Sequence, residues 1–229
     1  NHPLLVGDGV VMLGLRKNRR ESFNEWYMQL PGRPTMVVQP KIDGIALALR
    51  YVDGKLADAL TKRNRSVLSW IKTVHKIPKQ LKRKSIGTVE IHGEIWGLPK
   101  DLQDDRTPQR IAAVSSNKIE ESGSRSSFAA YRLVGSLTNE SQAMEDLRRL
   151  GFDVPDTLVC TKPSEVCKLY KQWREGHIDE RHPFNTKLFK GWPTDGVVAK
   201  VFDQKLQRKL GAGKECPNWA IALKANGIG

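Results

Sequence analysis

The sequence predicts an α+β fold in which antiparallel sheets are flanked by helices. Short hydrophobic segments with strand periodicity recur along its 229 residues, and segments with helical spacing separate them. Two of the strand segments are joined by Asp53-Gly54, a typical hairpin turn. A chain of this length with 39% hydrophobic residues can form one large or two small domains. Since no segment approaches the roughly 18 apolar residues of a membrane span, we expect a soluble, cytoplasmic protein.

The N-terminal half is predicted to begin with a helix and continue with strands. Phe23, Trp26 and Leu30 are at helical spacing within residues 19–30. Residues 37–61 predict three strands, with a tight charged motif after the first and the hairpin turn after the second. Residues 66–78 predict a helix that ends at a proline. Residues 88–97 alternate and predict a strand with two unlike faces, one with Val89, Ile91 and Ile95 and the other with Glu90, His92 and Glu94.

The C-terminal half is predicted to contain two helices and two strands. Residues 140–152 and 163–176 have apolar residues at helical spacing, and each segment has a glycine near its end. Residues 194–202 and 218–225 predict buried strands. The polar, serine-rich segment 100–127 is assigned to helix and loop.

Composition indicates the class of partner. The chain has 38 lysines and arginines against 25 aspartates and glutamates, a net charge of +13. Such an excess favours a polyanionic partner, nucleic acid before membrane, although a solubilising surface is the alternative. Cys160, Cys167 and Cys216 have no CxxC spacing, which predicts reduced thiols rather than disulfides or a zinc site.

Ionisable residues interrupt four of the apolar strand segments. Burying an unpaired charge is costly, so these residues must pair, face water or bind a charged ligand. Several lysines and carboxylates that converge from separate strands suit a ligand with phosphate groups. The residues concerned are Lys41, Asp43, Glu94, Asp195, Lys200 and Lys224.

Alternation within two of these segments predicts a surface for a flat ligand. Ala220, Ala222 and Lys224 share one strand face, where the two small residues leave space beside the lysine. Gly196, Val198 and Lys200 share a face in the same way. Val198 would then offer an apolar surface to a base, and Lys200 a cation to a phosphate.

The residues of "PKIDG" (40–44) suggest a nucleophilic lysine. A lysine amine becomes nucleophilic when it is desolvated and has cations as neighbours, which Lys200 and Lys224 would be for Lys41. Lys41 would then attack a phosphorus atom. Asp43 would orient the amine or a metal ion, and Gly44 would allow a close approach of the backbone.

The ordered set "KIDG", "EIHGEI", "TDGVVAK" and "WAIALK" resembles the covalent nucleotidyltransferases. The sequences of these motifs are most similar to those of the adenylation domain of NAD-dependent DNA ligases, and "SSFAAY" and "LRRLGFDV" occur in the order of that family. The resemblance implies a nucleotidyltransferase (ATP-grasp-like DNA ligase) fold with sheets and helices around a nucleotide pocket. It implies an N-terminal segment and helix over 1–36, an adenylation domain over 37–225, and a linker beginning at 226–229.

The resemblance also implies roles for individual residues. Lys41 would form lysyl-AMP, Glu94 would hold the ribose hydroxyls, and Tyr131 and Val198 would enclose the adenine. Gln39 would touch the adenine edge, and Lys200 and Lys224 would contact the α-phosphate. The family motif Arg-Gly-Asp-Gly is replaced by "KRNR", so that Lys62 or Arg63 must serve the ribose or phosphate contact. Mg²⁺ would be held by Asp195 and Glu94, or Asp195 would position the neighbouring strand.

Other departures from the family leave some positions open. Gln39 stands where the family usually has glutamate, and His92 where it usually has arginine. Arg110 and Asn117 are uncertain counterparts in a loosely matching segment. The basic residue that precedes the fourth motif is Arg181, Lys187 or Lys190.

The function implied is that of a DNA ligase core which takes AMP from NAD⁺ with Mg²⁺ and seals nicked double-stranded DNA. The alternatives are an ATP-dependent or other member of the superfamily, and a non-catalytic basic domain that binds nucleic acid. The ends of the sequence predict one part of a longer protein without its nicotinamide-recognising and oligonucleotide-binding domains. We therefore expect weak self-adenylation from NAD⁺. The implied location is the cytoplasm of a bacterial cell or phage-infected host.

Overall fold

The computed structural model of the protein describes residues 12, 14–18, 21–69, 71, 74–83, 87–97, 126–176 and 188–225. These residues belong to two compact units. Unit 1 comprises the described parts of Asp43–Ser136 and Ala143–Val154 with Met12, and unit 2 those of Leu13–Ile42, Leu137–Gln142 and Pro155–Gly229. No helix among the described residues is long and apolar enough to cross a membrane.

Nine strands and four helices are described. In chain order they are β1 (Arg16–Lys17), α1 (Phe23–Met28), β2 (Met36–Ile42), β3 (Ile45–Val52), β4 (Lys55–Thr61), β5 (Thr88–Gly97), β6 (Ser126–Leu133), α2 (Glu140–Leu150), β7 (Leu158–Cys160), α3 (Pro163–Gly176), β8 (Thr194–Val201), α4 (Gln204–Leu210) and β9 (Ala220–Leu223).

Unit 1 is built on a four-stranded antiparallel sheet with the order β4-β3-β5-β6. The predicted hairpin joins β3 to β4, and Asp53 (φ 49°) and Gly54 (φ 79°) have the left-handed backbone of a type I′ turn. The core of the unit includes Leu47, Ile91 and Phe128, and helix α2 packs Met144 and Leu147 into it.

Unit 2 is built on a five-stranded sheet with the order β1-β9-β8-β2-β7, in which only the short β1 pairs in parallel. Helices α1 and α3 contribute Phe23, Trp26 and Trp173 to its core. Ser22 begins α1 with a capping box, since its side chain accepts from the Glu25 N–H and Glu25 accepts from the Ser22 N–H. The predicted α+β class and the predicted antiparallel sheets are both confirmed.

The helix predicted over residues 66–78 is wrong in the described part of that segment. Ser66 forms a bridge with Leu60, and His75 with Ser127. Ser66 also donates from its hydroxyl to Asp58 at 2.6 Å. Edge pairing with the sheet therefore competes successfully with the helical pattern, in a segment where β-branched residues make a helix weaker. In the polar segment 100–127, residues 126–127 belong to β6, and 100–125 lie outside the described residues.

Strand β5 alternates as predicted, but its charged face is not open to solvent. Glu90 is 1% exposed and His92 is 7% exposed. Glu90 accepts from Arg50 at 3.4 Å and lies 2.7 Å from His92 Nε2. Burial lowers the pKa of His92, Glu90 opposes this effect, and Arg132 adds to it. Glu90 thus pairs with His92 on the same face of β5 and with Arg50 on β3.

Gly44 is required by the sheet of unit 1. A Cβ added at this position would overlap the carbonyl oxygen of Ile95 and lie 3.0 Å from the Cγ of Glu94. The close approach predicted from the sequence is therefore an approach to the backbone of β5.

We expect Gly44→Ala to destabilise the protein by about 3 kcal/mol, because strand backbone cannot move aside as a flexible side chain can. Urea unfolding of the variant measures this change. Gly176→Ala is the matched control, since no atom lies within 4 Å of its added Cβ. Equal stabilities for the two variants would contradict the conclusion that the sheet of unit 1 requires glycine at position 44.

Candidate functional site

The centre of the candidate site is one carboxylate shared by two lysines. Asp195 Oδ1 accepts from Lys41 Nζ at 2.8 Å, and Asp195 Oδ2 accepts from Lys224 Nζ at 2.7 Å. The three side chains are 21% to 30% exposed, so that a ligand can reach them. Two positive charges face one negative charge, and this excess suits an anionic group such as a phosphate.

Strand register explains how the lysines meet. Lys41 on β2 is opposite Gly196 on β8, Gln39 is opposite Val198, and Val198 is opposite Ala222 on β9. Because residues directly opposite each other share a sheet face, these residues line one surface, which we call the lysine face. The reverse face packs into the core of unit 2 through residues that include Val38, Ala199 and Ile221. The faces predicted for β8 and β9 are confirmed.

A β-bulge places Asp195 on the lysine face. Lys41 pairs with Gly196 and Ile42 pairs with Thr194, so that Asp195 is the extra residue on β8. Simple alternation would direct Asp195 to the face opposite Gly196, whereas a bulge re-aims a side chain. The bulge therefore makes the contact with both lysines feasible.

The charge state of Asp195 is fixed by these contacts. Burial alone raises the pKa of Asp195, but the attraction and hydrogen bonds of Lys41 and Lys224 lower it below its ordinary value. The carboxylate is thus ionised at neutral pH. Its stabilising effect is present above its unfolded-state pKa and is lost as the pH falls through the lower folded-state pKa.

Two residues that sequence reasoning missed hold Lys224 in place. The backbone N–H of Lys224 donates to Asn18 Oδ1 at 2.9 Å, and its carbonyl accepts from the Tyr170 hydroxyl at 2.7 Å. Asn18 is fully buried, and its amide donates to Tyr170 at 3.3 Å. The only available signals were a polar residue after β1 and a tyrosine on the apolar face of α3, and neither indicated Lys224.

The lysine face continues from Lys41 and Lys224 towards Gln39 and Val198. Gln39 is 2% exposed and donates from Nε2 to Thr157 Oγ1 at 2.8 Å. Val198 is 6% exposed and lies in the middle of the sheet between Gln39 and Ala222. Thr157 was also missed from the sequence.

Lys200 lies further along the same face and has a different partner. It is opposite Val37, four residues from the position opposite Lys41, or roughly 13 Å along the strand. Its Nζ is 3.5 Å from Glu140 Oε2, and the residue is 7% exposed. The structure therefore brings Lys224 to the carboxylate beside Lys41, but places Lys200 with Glu140.

The remaining predicted residues belong to unit 1. Tyr131 is the extra residue of a bulge on β6, since His92 pairs with Arg132 and Gly93 with Ala130. Burial raises the pKa of Tyr131, and the nearby Glu94 carboxylate raises it further. Lys62 and Arg63 are exposed in the turn after β4, and Asp43 lies in the connection from β2 to β3.

The described residues contain no group of three His, Cys, Asp or Glu that could hold a metal ion. All three cysteines are free thiols. Lys190 lies in a described turn, whereas Arg110, Asn117, Arg181, Lys187 and residues 226–229 lie outside the described residues.

The sequence is similar to known proteins over most of its length. The family model of the NAD-dependent DNA ligase adenylation domain matches residues 16–107 and 126–227. The DNA ligase of Thermotoga petrophila is 32% identical over 82% of this chain and 29% of its own length. The DNA ligase of Rubrobacter xylanophilus is 27% identical over 96% of this chain and 35% of its own length. The chain thus spans about a third of the length of these relatives.

A solved structure supports the fold. A protein assigned as an ATP-dependent DNA ligase from Aquifex aeolicus has a TM-score of 0.53 with this chain, at 9% sequence identity. The match covers 93% of this chain and 49% of the other. At this identity, the similarity shows a shared fold alone.

Proposed function

The chain belongs to the NAD-dependent DNA ligase adenylation domain family, and from this we propose that it is a DNA ligase catalytic core whose Lys41 accepts AMP from NAD⁺. The observation that carries the proposal is the pair of lysines on Asp195, on a sheet face that continues through Gln39 and Val198. This arrangement combines an amine, a second cation for a phosphate and an apolar surface for a base.

Three phosphoryl-group steps make up the proposed reaction. The neutral amine of Lys41 attacks the α-phosphorus of NAD⁺, a P–N bond forms, and the P–O bond to nicotinamide mononucleotide breaks. An oxygen of the 5′-phosphate at a DNA nick then displaces Lys41 from the adenylate. The 3′-hydroxyl finally attacks that 5′-phosphate and releases AMP. Positioning and charge neutralisation supply most of the catalysis in such reactions.

Each residue near Lys41 has a role in the first step. Asp195 holds the amine in place and is the group within hydrogen-bond distance that can take up its proton. Lys224 stabilises the charge of the α-phosphate, and Asn18 and Tyr170 fix its backbone. Asp43, directly after β2, is proposed to help orient the nucleophile.

The base is proposed to lie against Val198, with Gln39 at its edge. Lys200 is two residues beyond Val198 in the direction away from Lys41. This position supports a role for Lys200 at the base end of the nucleotide rather than at the α-phosphate that the family resemblance implies. In unit 1, Glu94 is proposed to hold the ribose hydroxyls, Tyr131 to stack on the base, and Lys62 or Arg63 to contact ribose or phosphate.

Magnesium is proposed to join the phosphates of the nucleotide. Mg²⁺ is commonly held by one or two carboxylates together with substrate phosphates and water. Asp195, which lies beside Lys41, and Glu94 are the carboxylates that would hold the ion, as the sequence predicts. The ion would neutralise phosphate charge.

The proposed partner is nicked double-stranded DNA. The net charge of +13 supports binding to the duplex backbone, a contact that weakens steeply with salt. We also propose further domains that recognise nicotinamide mononucleotide and DNA, and the chain spans only about a third of the length of these relatives. We propose that the reaction takes place in the cytoplasm of a bacterial cell or phage-infected host, where a DNA substrate is present.

Identification of the donor tests the proposed function. The chain is incubated with Mg²⁺ and an excess of NAD⁺ or ATP, each labelled in the adenylyl phosphate, and the co-product is identified. We expect slow labelling of the protein from NAD⁺ with release of nicotinamide mononucleotide. Labelling from ATP with release of pyrophosphate would instead indicate the ATP-dependent alternative. Retained DNA affinity without labelling from either donor would favour a non-catalytic binding domain.

A further inference from the structure

Unit 2 contains a second charged cluster, separate from the lysine pair on Asp195. It consists of Lys200, Glu140, Gln204 and Gln207, each between 3% and 7% exposed. Glu140 is the first residue of α2, Lys200 is on β8, and the two glutamines are on α4. Three elements therefore contribute to one buried cluster at an end of the lysine face.

The two oxygens of Glu140 have different partners. Oε1 accepts from Gln207 Nε2 at 2.6 Å and from Gln204 Nε2 at 3.4 Å. Oε2 faces Lys200 Nζ at 3.5 Å. Gln207 also donates to the Val201 carbonyl at 2.7 Å, which ties the glutamine to the strand that carries Lys200. The glutamines thus hold the carboxylate, and the carboxylate faces the lysine.

Backbone hydrogen bonds fix the position of Glu140 as well. Its N–H donates to the Phe202 carbonyl at 3.0 Å, and the Gln204 N–H donates to the Thr138 carbonyl at 3.3 Å. Phe202 is two residues beyond Lys200 in the chain. The start of α2 and the end of β8 are therefore attached directly at the point where Glu140 and Lys200 meet.

The cluster is not the arrangement that stability alone would favour. A buried ion pair is often no more stable than apolar residues of the same volume. Within the described part of the chain, Gln204 Oε1 is buried with no hydrogen-bond partner, which adds a desolvation cost. A role for Lys200 towards a ligand on the lysine face accounts for retaining a charge there.

We propose that Glu140 is a positioning residue, which holds the ammonium group of Lys200 at the end of the lysine face where the base is proposed to lie, while Gln207 and Gln204 hold Glu140. The proposal rests on the proposed function for the presence of a nucleotide on this face. Lys200 makes the contact, and Glu140 acts through Lys200. The two residues therefore act as one unit in binding. Removing either residue should weaken nucleotide binding as much as removing both.

A double-mutant cycle of nucleotide binding tests whether Glu140 and Lys200 act as one unit. AMP and adenosine are titrated by calorimetry into the wild type, E140Q, K200M, the E140Q/K200M double variant and E145Q. We expect each single variant to weaken both ligands about tenfold, and the double variant to weaken them by the same factor. Glu145, on the same helix with a side chain 46% exposed, is the control and should change neither affinity.

Several results would contradict the proposal. Wild-type affinity in E140Q, or losses that multiply to about a hundredfold in the double variant, would overturn the unit of Glu140 and Lys200. A loss confined to AMP, with adenosine unaffected, would place Lys200 at the phosphate. A wild-type chain that binds neither ligand would overturn the proposed function as well, and this result is distinct from the others.

Thermal unfolding separates positioning from folding. E140Q leaves a buried lysine without its carboxylate and should lower the Tm by about 10 °C, while the double variant should recover most of this loss. If E140Q does not fold, Gln207→Met removes the 2.6 Å hydrogen bond to Glu140 and leaves both charges. It should weaken AMP about threefold, and unchanged AMP affinity would contradict the proposal.

Discussion

Replacement of Lys41 by arginine is expected to abolish the covalent AMP adduct completely. Arginine keeps the positive charge and can still donate to Asp195, but its guanidinium does not lose a proton at any accessible pH and cannot act as the nucleophile. The variant should therefore fold and bind AMP within a few-fold of the wild type. Intact-mass spectrometry after incubation with Mg²⁺ and NAD⁺ measures the adduct.

Lys224→Arg is the matched control for this experiment. It makes the same substitution at the other lysine on Asp195, whose role is to stabilise charge rather than to form a bond. The adduct should form more slowly in this variant but should still form. An adduct in Lys41→Arg would show that another residue is the nucleophile. Complete loss of the adduct in Lys224→Arg, with an adduct retained in Lys41→Arg, would assign that role to Lys224.

Replacement of Asp195 by asparagine is expected to slow adduct formation by about 100-fold, the lower range for loss of a general base. The amide cannot take up the proton of Lys41, and it leaves two neighbouring ammonium groups without a shared negative charge. Because all three side chains are partly exposed, the effect on stability should be small, about 1 kcal/mol or less. Single-turnover labelling from NAD⁺ measures the rate.

Asp156→Asn serves as the comparison, since Asp156 is an exposed carboxylate of the same unit. It should label at the wild-type rate. An Asp195→Asn rate within threefold of the wild type would show that the carboxylate neither positions Lys41 nor accepts its proton.

Alternation along single strands made much of the site predictable. It gave the faces of β8 and β9 correctly, whereas the pairing that brings Gln39, Val198 and Ala222 together was visible only in the structure. These predictions succeeded because successive side chains of a strand point to opposite faces, which is a local property of the backbone. The hairpin at Asp53-Gly54 succeeded for the same reason.

Features that depend on pairing between distant strands could not be predicted. The bulges at Asp195 and Tyr131 exist only relative to β2 and β5, and nothing in either segment alone indicates an extra residue. The contact of Asn18 with Lys224 spans 206 positions of sequence. The helix predicted over 66–78 failed where pairing with β4 and β6 outweighed local periodicity.

The chemical location of the adduct is the most direct test of the central claim, that Lys41 is the residue which accepts AMP. The chain is incubated with Mg²⁺ and NAD⁺, digested under conditions that preserve P–N bonds, and sequenced by tandem mass spectrometry. The account predicts an AMP-sized increment on the peptide that contains Lys41 and an unmodified peptide around Lys224. An increment on any other residue, with Lys41 unmodified, would contradict it.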